Sequence, residues 1–172
     1  MDILIIQNWF SDPLYLESMA DLIREGLRSF GNPDPGEIHL LYSAHSIPER
    51  YVTEGDPFLK QTQQSVRLIN AQLNHIHPST LAFQSRVGPV KWLGPSTKDV
   101  LTEMGRRGTG KVLAVPISFV SDHIETLQEI DIAYRELALQ SGIGEFRRAD
   151  SLNLHPKFID ALASIASRTG QF

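Results

Sequence analysis

The feature that most constrains the fold is an apolar run at residues 112–119 that leads directly into a helical pattern. Only Pro116 and Ser118 interrupt this run, which is typical of a strand buried on both faces of a parallel sheet. Pro116 cannot donate a ladder hydrogen bond, so we expect the strand to be interrupted or to lie near a sheet edge there. A buried strand that passes straight into a helix is the repeating unit of an α/β fold.

The helix predicted after this run separates acidic from apolar positions. At 100° per residue, Asp122, Glu125 and Glu129 fall on one face. The positions expected to pack on the sheet are Leu127, Ile130, Tyr134 and Leu137. A solvated acidic face at a helix N-terminus is the alternative to a functional site, since the helix dipole favours acids there.

The same alternation of apolar runs and helical spacing continues along the chain. Further strands are predicted at residues 2–7, 37–44, 80–85 and 145–149. The other helices are predicted at residues 14–30, 57–75, 96–107 and 156–168. This order predicts a single α/β domain over residues 1–172, with a doubly wound, mostly parallel sheet of about four strands and helices on both faces.

The composition and the missing motifs narrow the function classes. The 172-residue chain has no cysteine, which excludes disulfides, thiolate zinc sites, Cys-ligated iron–sulfur clusters and Cys nucleophiles. A net charge of −4 argues against nucleic acid as the main partner. The glycine-rich patterns of nucleotide-binding loops are absent. No apolar run approaches a membrane span and no signal-peptide pattern occurs, so we expect a cytoplasmic protein, with peripheral membrane contact left open.

Polar residues follow the predicted ends of several strands. Because parallel strands share a direction, their carboxyl ends meet at one edge, where α/β sheets place ligands. The residues expected to converge there are His45, Gln84, Ser85, Arg86, Trp92, Asp122, His123 and Glu125. Each has a purely structural alternative: His45 as a turn residue and Trp92 as a core residue, for example. The pair Arg147–Arg148 is interpreted as solvated.

His45 and Glu125 stand out within this set. A neutral imidazole and a carboxylate suit a divalent first-row ion such as Fe²⁺, and both groups are fit to act as general bases. The spacing leaves open which of these roles each residue takes.

Four segments resemble the ferrochelatase family, whose members insert Fe²⁺ into protoporphyrin IX. They are YSAHSIP (42–48), QSRVGPVKWLGPST (84–97), VPISFVSDHIETLQEID (115–131) and RRADSLN (147–153). The match covers only the second half of a typical member, which has two similar Rossmann-like halves with the porphyrin cleft between them. The resemblance therefore implies a chelatase half that lacks part of its cleft.

The resemblance also implies site residues and partners. His45 and Glu125 would bind the metal ion and act in catalysis, and Trp92 would bind the porphyrin. His123 would be an orienting or proton-relay partner, and Glu129 the next acid of a carboxylate stripe. Ala133 stands where many relatives carry a further carboxylate. The implied product is protoheme in heme biosynthesis, made by a lyase that needs no cofactor beyond substrate Fe²⁺.

Two alternatives follow from the missing half. The isolated chain would bind metal or tetrapyrrole without turnover until it meets the N-terminal half of the enzyme. Otherwise it would complete the cleft with a homodimer mate, as small cobalt-type chelatases do. A half-cleft should also expose an apolar patch where its other half belongs.

Overall fold

A four-stranded parallel sheet forms the centre of the molecule. The computed structural model describes residues 5–31, 34 and 36–169. The strands are β1 (Ile38–His45), β2 (Ser79–Gln84), β3 (Lys111–Pro116) and β4 (Glu145–Arg148). Their order is β2-β1-β3-β4, and all three pairings are parallel. The predicted α/β class and the number of strands are confirmed.

Helices cover both faces of the sheet because the central strands are apolar on both sides. On β1, Leu40, Tyr42 and Ala44 face one core, and Leu41 faces the other. The helices of the first core are α1 (Pro13–Arg28), α3 (Phe58–Gln72) and α6 (Pro156–Thr169). Those of the second are α4 (Thr97–Arg106), a π-helix (Glu125–Tyr134) and its continuation α5 (Arg135–Gln140). A short helix, α2 (Glu49–Thr53), lies between the strand predicted at 37–44 and the helix predicted at 57–75, where no helix or strand was predicted.

Side-chain caps mark the start of two helices. The Asp12 carboxylate accepts hydrogen bonds from the backbone N–H groups of Leu14 and Tyr15, at 3.0 and 3.3 Å, so it caps α1. Ser96 caps α4 by accepting from the N–H of Asp99 at 3.1 Å.

Two strand predictions need correction. Residues 1–4 of the strand predicted at 2–7 lie outside the described residues, and residues 5–7 are exposed and outside any strand. An apolar run becomes a strand only where a neighbour can pair with it, and residues 5–7 pair with no strand. The predicted strand 112–119 ends at Pro116, where the ladder donor is lost, but β3 is central in the sheet rather than at an edge.

The helix after β3 winds differently from the prediction. Residues 125–134 form a π-helix, whose hydrogen bonds join residues five apart and whose turns are wider than those of an α-helix. The buried positions are Thr126, Ile130 and Tyr134, spaced by four. Leu127, expected on the sheet face, is 49% exposed. The wider turn rotates that position toward solvent.

Candidate functional site

The end of β1 meets the start of the π-helix through a contact between His45 and Glu125. Nδ1 of His45 lies 2.9 Å from Oε2 of Glu125. The backbone N–H of His45 donates to Oγ of Ser118 at 2.8 Å, which ties this strand end to the segment after β3. The contact lies between the neighbouring strands β1 and β3. The chain leaves β1 toward β2 at one edge of the sheet and leaves β3 toward β4 at the other edge. Open α/β sheets bind ligands at such a point.

This contact fixes the proton arrangement of the His45 ring. A carboxylate oxygen can only accept, so Nδ1 of His45 carries the hydrogen. Nε2 makes no hydrogen bond within the described residues, and it is not among the buried polar atoms that lack a partner. The His45 and Glu125 side chains are 40% and 30% exposed. An accessible ring nitrogen, Nε2, therefore lies at this edge of the sheet, and in the neutral ring it carries the lone pair.

His123 supports the same helix start with the opposite ring arrangement. Its Nδ1 accepts a hydrogen bond from the backbone N–H of Glu125 at 3.1 Å, so in this contact Nδ1 is unprotonated. The ring packs edge-on against Phe119 with centroids 4.8 Å apart, and Phe119 also lies edge-on to His45 at 6.4 Å. Phe119 thus separates the two histidines. The sequence prediction placed it inside the strand and missed this position.

Glu129 is held by four hydrogen bonds. Oε2 accepts from Nε2 of Gln84 at 3.0 Å and from Oγ of Ser85 at 2.6 Å. Oε1 accepts from the backbone N–H of Ser85 at 3.2 Å and from the hydroxyl of Tyr134 at 2.5 Å. Burial alone would raise the pKa of Glu129, but these donors outweigh it and hold the pKa below the ordinary glutamate value. Glu129 is thus a fixed, ionised acceptor.

Gln84 links this carboxylate to the sheet. Its side chain is almost fully buried, and its Nε2 also donates to the backbone carbonyl of Glu125 at 3.0 Å. Its Oε1 accepts from the hydroxyl of Ser43 at 2.6 Å, and Ser43 contacts the hydroxyl of Thr97 at 3.0 Å. Gln84 was predicted to lie at the sheet edge, but its position as the centre of this network was not predicted.

Asp122 points away from the other candidates. It binds Arg148 at 2.9 Å and exchanges two hydrogen bonds with Asn153, at 2.9 and 2.8 Å. Burial raises its pKa, but the bonds from Asn153 and the charge of Arg148 prevail and lower it. The Arg148 side chain is only 7% exposed, so the interpretation of Arg147–Arg148 as a solvated pair is wrong for Arg148. Arg147, 43% exposed, fits it.

The loop between β2 and α4 carries Trp92 beside the segment that follows His45. The backbone of Trp92 forms an isolated antiparallel bridge with Pro48, and the N–H of Leu93 donates to the carbonyl of Ile47 at 3.0 Å. The Trp92 side chain is half-buried, and its indole N–H is buried without a partner in the described part of the chain. Arg86 turns back onto the carbonyl of Leu93 and not toward the carboxylates.

An apolar rim borders the site, formed by Val120, Ile124 and Leu154. These side chains are 42%, 74% and 84% exposed. Val120 and Ile124 flank the 121–123 turn, and the N–H of Asn153 donates to the carbonyl of Val120 at 2.8 Å, which brings Leu154 to the same edge. A cavity of about 270 Å³ lined by Trp9, Phe119 and Val120 opens beside it. Exposed apolar side chains at this edge agree with the expected half-cleft.

Two features are absent from the described residues. They contain no cluster of three or more His, Asp or Glu side chains arranged to hold a metal ion. None of their helices is long and apolar enough to cross a membrane.

Known proteins resemble the chain over nearly its whole length. The family model named Ferrochelatase matches residues 1–169. A ferrochelatase from Gloeothece citriformis is 52% identical over 162 residues, which are 94% of this chain and 41% of that protein. One from Gloeobacter violaceus is 49% identical over 161 residues, which are 93% of this chain and 49% of that protein. The chain thus spans about two-fifths to one half of the length of these relatives.

Solved structures share the fold at much lower identity. SirB from Bacillus subtilis, solved with Fe³⁺, superposes with a TM-score of 0.59 at 16% identity, covering 89% of this chain and 54% of SirB. CbiX, described as the terminal enzyme for biosynthesis of siroheme in denitrifying bacteria, gives 0.57 at 18% identity, covering 94% of this chain and 60% of CbiX. Both show that the chain shares the architecture of these two proteins.

Proposed function

The chain belongs to the ferrochelatase family, and from that premise we propose that it carries the residues that insert Fe²⁺ into protoporphyrin IX to form protoheme. The observation that carries the proposal is the 2.9 Å contact between His45 and Glu125 at the carboxyl edge of the sheet. We infer that the chain is the second half of such an enzyme, and that the rest of the cleft comes from another part of the protein or from a partner. Fe²⁺ is substrate here, and no further cofactor is needed.

The reaction requires a base and a metal ligand in one place. Two pyrrole protons must leave the porphyrin, and Fe²⁺ then takes their place, so the total charge of the ring and the ion is balanced. Nε2 of the neutral His45 ring can take one pyrrole proton, and Oε2 of Glu125 stabilises the imidazolium that forms; the ring then passes that proton to solvent and can take the second. Oε1 of Glu125 makes no hydrogen bond among the described residues, so this oxygen is free to bind the incoming ion, and Nε2 of His45 is a second ligand whenever it carries no proton.

The neighbouring residues are assigned supporting roles. His123 accepts from the backbone of Glu125 and so orients the helix start, while Glu129 anchors the same helix to Gln84 and Ser85. We assign Trp92 to contact the flat face of the porphyrin, because aromatic side chains in a loop at a cleft suit a flat apolar ligand. A cytoplasmic location remains part of this proposal.

Binding without turnover is a second candidate for the isolated chain. The chain spans only 41% of one matched ferrochelatase, and the apolar rim lies open beside the site. A chain with half a cleft would hold a metal ion or the porphyrin weakly and turn nothing over. Completion by a second copy is the third arrangement, and it requires a dimer in solution.

The test is insertion of Fe²⁺ or Zn²⁺ into protoporphyrin IX, followed by porphyrin fluorescence at several protein concentrations. Glu125→Gln should lower turnover by about 10²-fold or more, because it removes a charged partner of His45 and a ligand oxygen. Glu136→Gln makes the same change on the exposed face of α5 and is the matched control.

The outcomes separate the candidates. Turnover that rises faster than linearly with concentration means that two copies complete the cleft. If the wild-type chain turns nothing over, Zn²⁺ affinity by calorimetry becomes the readout, and it should fall in Glu125→Gln and not in Glu136→Gln. Insertion and Zn²⁺ affinity that are unchanged in Glu125→Gln would refute the assignment of this residue.

A further inference from the structure

Arg148 is a buried cation that bonds to acids at two places in one segment. Nε and Nη2 of Arg148 donate to the two carboxylate oxygens of Asp131, at 2.8 and 2.9 Å, in a bidentate pair. Nη1 donates to Oδ1 of Asp122 at 2.9 Å. The guanidinium therefore uses its planar set of donors on two carboxylates at once, which the ammonium of a lysine cannot reproduce.

These two acids bracket the part of the chain that carries the candidate site. Asp122 lies in the turn before the π-helix, and Asp131 lies within it. The residues between them include His123, Glu125 and Glu129. Arg148 itself is the last residue of β4, so it joins this segment to the rigid sheet.

The π-helix needs such external support. A π-helix is rare, usually lasts only about one turn and is associated with functional sites, whereas this one runs for ten residues. One anchor of this helix is Glu129, which bonds to residues at the end of β2. Arg148 supplies the second anchor from β4, which is the edge strand opposite β2. Between the two anchors, Glu125 is held opposite His45.

We propose that Arg148 is a positioning residue that fixes the π-helix so that Glu125 meets Nδ1 of His45. Its effect on metal binding rests on the proposed function, whereas its effect on the His45–Glu125 contact does not. A purely structural Arg148 would change the stability of the chain and leave that contact intact.

The double variant removes both ions of the bidentate pair together. Arg148→Gln combined with Asp131→Asn leaves neither ion of that pair alone, while Asp122, whose side chain is 27% exposed, loses the guanidinium and keeps its hydrogen bond from Asn153. Arg148→Lys keeps the positive charge and loses the planar guanidinium that forms the bidentate pair with Asp131. Arg147→Gln changes the adjacent, more exposed arginine, which bonds to Glu145, and is the matched control.

The first measurement is the ring-nitrogen NMR spectrum of His45, recorded well above the ordinary imidazole pKa of about 6.5. In the wild type, Nδ1 carries the hydrogen because Glu125 accepts it. The double variant should show the His45 signals of Glu125→Gln, Arg148→Lys should lie between, and Arg147→Gln should match the wild type. Amide exchange of residues 125–134 should be at least about tenfold faster in the double variant.

The second measurement is Zn²⁺ affinity, which should fall by about tenfold or more in the double variant, the effect usual for residues that orient a ligand. Wild-type His45 signals in a folded double variant would overturn the proposal. If the double variant does not fold, the His45 signals of Arg148→Lys become the test. Wild-type His45 signals in that variant would also overturn the proposal. If Glu125→Gln leaves Zn²⁺ binding unchanged, the proposed function fails, while the His45 signals still decide the role of Arg148.

Discussion

Replacing Glu129 by glutamine tests whether this acid is a fixed anchor of the π-helix. The amide keeps one acceptor oxygen and places an NH₂ group where the other oxygen stood. Each carboxylate oxygen accepts two hydrogen bonds, so the NH₂ group must face two donors. In either orientation it faces one hydroxyl, of Ser85 or Tyr134, which can turn to accept, and one N–H group, of Gln84 or the Ser85 backbone, which cannot.

The magnitude follows from this count. At least one hydrogen bond to a charged acceptor is lost, and the others become bonds to a neutral group. A bond to a charged group contributes about 1.5–3 kcal/mol, and Glu129 is only half-buried, so we expect the free energy of unfolding to fall by about 2 kcal/mol at neutral pH.

The loss should depend on pH in one direction. The folded-state pKa of Glu129 lies below its value in the unfolded chain because the four donors favour the carboxylate. Its ionised form therefore stabilises the fold in full above the unfolded-state pKa, about 4.3 for a glutamate. That contribution disappears as the pH falls through the folded-state pKa, so the difference between wild type and Glu129→Gln should shrink there.

The assay is urea unfolding of wild type, Glu129→Gln and Glu136→Gln from neutral pH down to about pH 3. Glu136 lies on the exposed face of α5, so its variant should stay within about 0.5 kcal/mol of wild type. A deficit for Glu129→Gln that is equally large at both ends of the pH range, or one no larger than that of the control, would refute the reasoning.

Two further substitutions test a close contact between α4 and the end of α5, and the buried hydrogen-bond network at Gln84. In Gly105→Ala the new Cβ would lie 2.1 Å from the carbonyl oxygen of Ser141, which is backbone and cannot give way, so we expect a loss of at least about 1–3 kcal/mol in urea unfolding. Gly110→Ala, with open space at its Cβ, is the control, and equal losses would contradict the close approach. Ser43→Ala leaves Oε1 of the buried Gln84 without its donor and should lower the free energy of unfolding by about 1–3 kcal/mol. An unchanged free energy of unfolding in Ser43→Ala would mean that the other hydrogen bonds of Gln84 hold it alone.

The meeting of His45 with Glu125 was predictable because it follows from topology. Apolar runs of strand length alternate with helical spacing, and parallel strands bring their carboxyl ends to one edge. The strand end at Pro116 and the cap at Asp12 were likewise predictable, because each depends on the chemistry of one residue.

The rest could not be predicted because it depends on contacts between distant residues. The predicted apolar face assumed 100° per residue, and the π-helix breaks that assumption, so Thr126 is buried where Leu127 was expected. Arg148 is charged and has a charged neighbour, which favours a solvated interpretation. Its burial depends on Asp122 and Asp131, 26 and 17 residues away. No local pattern encodes such a pairing.

Ser85 and Asn153 have left-handed backbones, with φ angles of 62° and 45°. Glycine adopts this conformation most readily, and serine is an unusual residue for it. Each of these side chains bonds to an acid, Ser85 to Glu129 within the π-helix and Asn153 to Asp122 just before it. A glycine at either position would preserve the path of the chain and delete the bond. In a set of aligned relatives, glycine at these two positions would therefore mark the members that need only the turn. Serine or asparagine would mark the members that also need the acid to be held in place.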